Sequence, residues 1–111
     1  MRRITKVAVL AVSIAFVGAQ AVSAMAETTW ERNHPRRDQV NDRIERQERR
    51  IAQERREGEI TARQAQHLRN EDRQILREER IAASHDGGHI TIAEQRALNQ
   101  QIDRVSRQIG K

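Results

Sequence analysis

The 111-residue chain has no cysteine and no tyrosine, and only one each of proline, tryptophan and phenylalanine. Without cysteine, no disulfide can supplement a small core, no thiol can serve as nucleophile, and no lipid-modified cysteine can tether the chain to a membrane. With the lone phenylalanine at Phe16, Trp30 is the sole aromatic side chain after Ala26. Long apolar runs are equally scarce. The one that exists, Val7 to Ala19, is about 13 residues, too short for a bilayer that needs about 20.

That run has a context. Met1-Arg2-Arg3-Ile4-Thr5-Lys6 is a basic start, and Ala24-Met25-Ala26 puts small residues at −3 and −1 before Glu27. Basic, apolar and small-residue regions in this order read as a secretory signal peptide over residues 1–26, removed from the mature protein. The twin arginine Arg2-Arg3 lacks a following Phe-Leu pair, which favours general secretion over the folded-protein route. The predicted location is the periplasm, with no membrane anchor after cleavage.

Charge needs the same correction. The whole chain carries 21 Lys and Arg against 16 Asp and Glu. Arg2, Arg3 and Lys6 leave with the leader, so the chain from Glu27 onward holds 18 bases, 17 of them arginine, against 16 acids. This is a dense mixture of both signs, whereas nucleic-acid binding needs a net basic face. Nucleic acid is therefore not an expected partner. The same stretch holds only 15 large apolar side chains, a thin supply that makes disorder the rival reading and self-association, as a homodimer, a natural supplement.

Pattern argues against disorder. Gly58-Glu59-Ile60-Thr61-Ala62-Arg63-Gln64 and Gly88-His89-Ile90-Thr91-Ile92-Ala93-Glu94 repeat one grammar at two separate places. Each has a helix-ending glycine, then a Thr N-cap with Gln or Glu three positions on, the signature of a capping box. The expected caps are Thr61 with Gln64 and Thr91 with Glu94. With Pro35 suited to a first helical turn, three helices follow, at about Pro35–Glu57, Ala62–Ser84 and Ile92–Ile109. Residues 27–34 would be a flexible arm, with Trp30 either stapling it to the first helix or serving as a partner anchor.

Apolar spacing completes the prediction. Leu98, Ile102, Val105 and Ile109 form a stripe, as do Val40, Ile44 and Ile51, with Gln47 in the gap. In the second helix Asp72 and Glu79 interrupt the stripe. Folding back at both loops aligns Ile51/Leu68/Ile109, Ile44/Ile75/Ile102 and a mixed layer of Val40, Leu98, Leu76 and Glu79. The predicted fold is all-α, an up-down-up three-helix arrangement (a helical hairpin plus a third helix) over residues 35–111. Asp72 is expected to take Gln47 across the interface. Arg36, Arg43 and Arg50 recur at every seventh position, and Arg43 is expected to reach Glu79.

Candidate chemistry is sparse. Gly-x-Ile-Thr-x-x-Glu matches positions 6 to 12 of a calcium-binding EF-hand loop. Positions 1, 3 and 5 are then Ala83, His85 and Gly87 in one copy and Gln53, Arg55 and Glu57 in the other, so the loops are degenerate. His85, Asp86 and His89, on a Gly87-Gly88 hinge, are the metal-site candidate for zinc, copper or nickel, short of a fourth ligand. No catalytic set and no cofactor motif is present, and the chain is read as non-enzymatic.

His34-Pro35-Arg36-Arg37, Gly58-Glu59-Ile60-Thr61, Arg77-Glu78-Glu79-Arg80 and Gly87-Gly88-His89-Ile90-Thr91 together resemble a group of small exported proteobacterial helical proteins, a likeness that spans nearly all of residues 27–111. Ile60-Thr61-Ala62-Arg63-Gln64 is also similar to the Leu-Thr-x-x-Gln motif of the Spy/CpxP periplasmic chaperones, which are cysteine-free, helical and rich in both charges. Ile90-Thr91-Ile92-Ala93-Glu94 departs from it by ending in Glu. The first likeness implies a periplasmic location and no activity; with the shorter likeness to the chaperones, the leading expectation is a periplasmic protein that binds proteins or envelope components, chaperone-like in envelope stress. The alternative expectation is a metal-binding protein.

Overall fold

The computed structural model describes residues 27–110, so the leader read at residues 1–26 lies outside the described residues. Among those described there are four helices and no strand: α1 (Thr29–Asn33), α2 (Pro35–Arg56), α3 (Ala62–His85) and α4 (Ile92–Ile109). The described chain divides into two units after Arg32.

In the first unit, the segment expected to be an arm carries helical structure. Thr28 Oγ1 accepts from Glu31 N–H at 3.0 Å, and Glu31 Oε1 accepts from Thr28 N–H at 2.7 Å. This is a third capping box, written in Thr28-Thr29-Trp30-Glu31 and overlooked because no apolar stripe follows it. Trp30 on α1 is 40% exposed.

The second unit is built by the three long helices, each packed against the other two. Pro35 fixes the first turn of α2 without costing a hydrogen bond, since that amide has no intrahelical acceptor. At its far end Glu59 N–H reaches back to Glu54 O at 2.9 Å, over Gly58 at φ +79°, a left-handed turn that a Cβ would strain. Thr61 and Thr91 then open α3 and α4. Each hydroxyl accepts from the N3 amide at 3.0 Å, and Gln64 and Glu94 return to the cap amides at 2.7 and 2.8 Å. Each cap is worth about 1 kcal/mol.

The core is one cluster. Val40, Ile44 and Ile51 of α2, Leu68 and Ile75 of α3, and Leu98, Ile102, Val105 and Ile109 of α4 are all buried, joined by Ala65 and Ala83. Ile60 and Ile90, in the loops just ahead of the two threonine caps, close its ends. Bonds between helices give the register. Gln47 meets Asp72 and Arg37 meets Glu79, so partner numbers fall on α3 as they rise on α2. Glu78 with Gln101 and Glu71 with Gln108 run oppositely in the same way. Arg43 with Asn99 and Arg50 with Ser106 climb together, and α2 and α4 point the same way.

Candidate functional site

Three polar seams, one shallow trough and one histidine pair are where chemistry could reside. The first seam joins α2 to α4. Arg36 Nε donates to Ile90 O at 2.6 Å, Arg43 to Asn99 Oδ1 at 3.0 Å and Asp103 Oδ1 at 2.8 Å, and Arg50 to Ser106 Oγ at 2.8 Å and Gly110 O at 2.6 Å. The heptad repeat keeps the three guanidinium groups on one flank, where they bind α4 and the loop before it like rungs. Gln39, Gln95 and Asn99 interlock beside them.

This ladder corrects one expectation. Arg43 does not reach Glu79; Arg37 does, with Nε 2.5 Å from Oε2 and NH2 3.3 Å from Oε1, while its NH1 donates to Gly88 O at 3.1 Å. One residue turns a helix by about 100°. Arg37 lies one heptad before Ile44 and so stands on the core stripe facing α3, whereas Arg43 stands on the flank facing α4. That heptad spacing was the signal available in the sequence. Glu79, only 1% exposed, is thereby a buried carboxylate held by a forked cation.

The third seam has no such cation. Asp72 is fully buried, and its Oδ1 accepts from Gln47 Nε2 at 2.6 Å. No donor faces its Oδ2. Burial is the main force driving the Asp72 pKa up, to about 7. A hydrogen bond to the Glu48 side chain raises it further, the Gln47 amide opposes, and the charges of Glu48 and Glu71 add to the rise. A proton on Asp72 would supply the missing donor between Asp72 and Glu48.

Between α3 and α4 an open trough of about 600 Å³ runs over Ile75 and Val105, walled by Glu71, Glu78, Gln101, Arg104 and Gln108. His67 at its edge lies 3.2 Å from Glu71 Oε2. Ile75 and Val105 lie beneath it, almost wholly buried, and the walls carry both signs.

The loop between α3 and α4 rearranges the expected metal ligands. Gly87 and Gly88 both adopt positive φ, at +63° and +96°, and Gly88 N–H bonds Ala83 O at 2.8 Å. His85 ends α3, exposed. His89, past the glycines, stacks on His34 with ring centroids 4.7 Å apart and planes 18° from parallel. The turn thus commits His89 to the residue capping α2. His85, Asp86 and His89 do not gather into a metal-holding group, and among the described residues no cluster of three or more His, Asp and Glu does so. The His34–His89 stack joins the start of α2 to the loop before α4, and no local spacing marks it.

Among the described residues no helix is long and apolar enough to cross a membrane. Compared with known protein families, curated proteins and solved structures, the chain matches none of them.

Proposed function

We propose that the chain is an exported, non-enzymatic periplasmic protein whose up-down-up three-helix unit holds segments of other proteins or envelope components weakly and reversibly, in the manner of a stress chaperone. The observation that carries this reading is the open α3–α4 trough, with Ile75 and Val105 as floor and Glu71, Glu78 and Arg104 on its walls. Ile75 and Val105 are themselves only 2% and 4% exposed, so the aliphatic stems of the wall side chains supply most of the sequence-independent attraction. Walls of mixed sign accept peptides of either charge and keep release fast. Exposed Ile92, 56% accessible, adds apolar contact outside the core.

The test is aggregation of a chemically denatured model client, followed by light scattering, with the mature protein in stoichiometric excess. Scattering is expected to fall, and the Gln74→Trp/Gln108→Trp variant, which fills the trough, is expected to lose most of that effect. Scattering unchanged by the parent protein defeats the proposal. Detection of the processed chain in an osmotic-shock fraction checks its location.

A further inference from the structure

We infer that the outward face of α3 is a docking surface for an anionic lipid membrane. The inference rests on the exported location proposed above, and uses the outer arginines of α3, which adjoin the trough along Asn70 and Gln74. No carboxylate of α3 stands on its exposed face: Asp72 and Glu79 are buried, Glu71 and Glu78 stand half-buried on the trough walls, and all four are engaged. Glu71 meets Gln108 and His67, Asp72 meets Gln47, Glu78 meets Gln101 and Glu79 meets Arg37. The exposed residues of α3 therefore include no acid at all, whereas those of α2 include Asp42 and Glu45 and those of α4 include Asp103.

What remains outside on α3 is cationic. Arg63, Arg73, Arg77 and Arg80 are exposed, and none forms an ion pair among the described residues. Arg73 and Arg77 donate instead to the neutral amides of Asn70 and Gln74, at 2.9 and 3.1 Å, one turn back on the same helix. Those contacts lay the guanidinium groups along the helix and leave their charge uncompensated. At about 1.5 Å per residue the row from Arg63 to Arg80 spans about 26 Å. At about 100° per residue the four arginines fall within roughly 100° of one another around the axis, a row of charge along one side of the helix.

Guanidinium groups suit phosphate, which they bind through paired N–H donors. Lipid is favoured over a soluble polyanion by Ile81. It is 58% exposed, one turn beyond Arg77 and next to Arg80, the position in which an interfacial helix sinks an apolar side chain between headgroup-binding cations. Each cation near an anionic surface contributes a comparable increment of attraction, so a local row suffices although the chain after the leader is near charge balance.

The experiment is co-sedimentation of the mature protein with vesicles of phosphatidylcholine containing about one-third phosphatidylglycerol at low ionic strength, against pure phosphatidylcholine. The parent is expected to bind the anionic vesicles only. Arg73→Gln/Arg77→Gln/Arg80→Gln is expected to weaken partitioning about a hundredfold, and Ile81→Asp about tenfold. A control with equal charge removed elsewhere, Arg46→Gln/Arg49→Gln/Arg96→Gln, is expected to stay within about threefold of the parent, because those side chains lie off the row. Unchanged circular dichroism verifies the fold, and Arg77→Glu alone serves as a second variant should the triple variant misfold. Equal loss in the control, binding indifferent to Ile81→Asp, or capture by soluble polyphosphate without vesicle binding would each overturn the inference. Retained suppression of client aggregation by the triple variant separates this face from the trough, so either reading can fail alone.

Discussion

Asp72 and Glu79 sit one heptad apart on the same stripe of α3, both buried to within 1% of complete, and they are stabilised in opposite ways. Glu79 meets the Arg37 guanidinium on two oxygens, a cation at its side inside the bundle. Asp72 meets one amide donor and two further acids, and its ionisation is pushed up to about 7. A carboxylate deep in a helical seam needs either a cation or a proton. Which one it receives depends on a single position of the facing helix: Arg37 lies opposite Glu79, and Gln47 lies opposite Asp72.

The largest effect should come from breaking the charged partner. Arg37→Met leaves Glu79 buried without its cation and is expected to cost about 3–5 kcal/mol in urea unfolding at pH 7. Arg37→Met/Glu79→Met should recover most of that loss, because the pair's desolvation disappears with it. If the single variant unfolds at the parent's midpoint, Glu79 is stabilised by something other than Arg37.

The uncharged partner predicts a pH dependence of definite sign. Folded Asp72 titrates near 7 and an unfolded aspartate near about 3.9, so between those values the folded state holds the extra proton. Its contribution to stability is complete below pH ~4, declines as pH rises, and is gone above pH ~7, an amplitude of about 4 kcal/mol. Asp72→Asn, which keeps an acceptor for Gln47 and offers Glu48 a permanent donor, should flatten that slope and unfold at higher urea than the parent at pH 8. Near pH 4 the two should nearly coincide. A parent whose urea midpoint is constant from pH 4 to 8 contradicts the protonated seam.

Smaller effects sharpen the contrast between anchored and free arginines. Arg43→Ala removes hydrogen bonds to Asn99 and Asp103 and should cost about 1 kcal/mol. Arg77→Gln, on the outer face, should change the thermal midpoint by no more than about 0.5 kcal/mol equivalent. A comparable cost for both would erase the distinction between seam and surface arginines.

Helix limits were legible to within one residue for all three long helices, because Pro35, two glycines and two Thr-x-x-(Gln/Glu) boxes are local signals whose physics lies within a few residues. The core stripes were legible too, since helical period alone puts Leu98, Ile102, Val105 and Ile109 on one face. Gln47 opposite Asp72 followed from counting back across the loop. Arg43 rather than Arg37 was expected at Glu79 because the heptad repeat singles out Arg36, Arg43 and Arg50, while the angle about the axis decides which neighbour a side chain meets. The histidines illustrate the same limit. Nearness in sequence suggested His85 with His89, and two left-handed glycines paired His89 with His34 instead.

Composition and local order by themselves determined that this chain is helical, where its long helices begin and end, and which faces are apolar, because capping and periodicity are short-range. Only tertiary packing decided which arginine meets Glu79, that Asp72 goes without a cation, and that Glu71 and Glu78 stand against α4 while Arg63, Arg73, Arg77 and Arg80 face out. Those outcomes depend on rotation and register between helices, which are fixed only when the three apolar stripes close on one another.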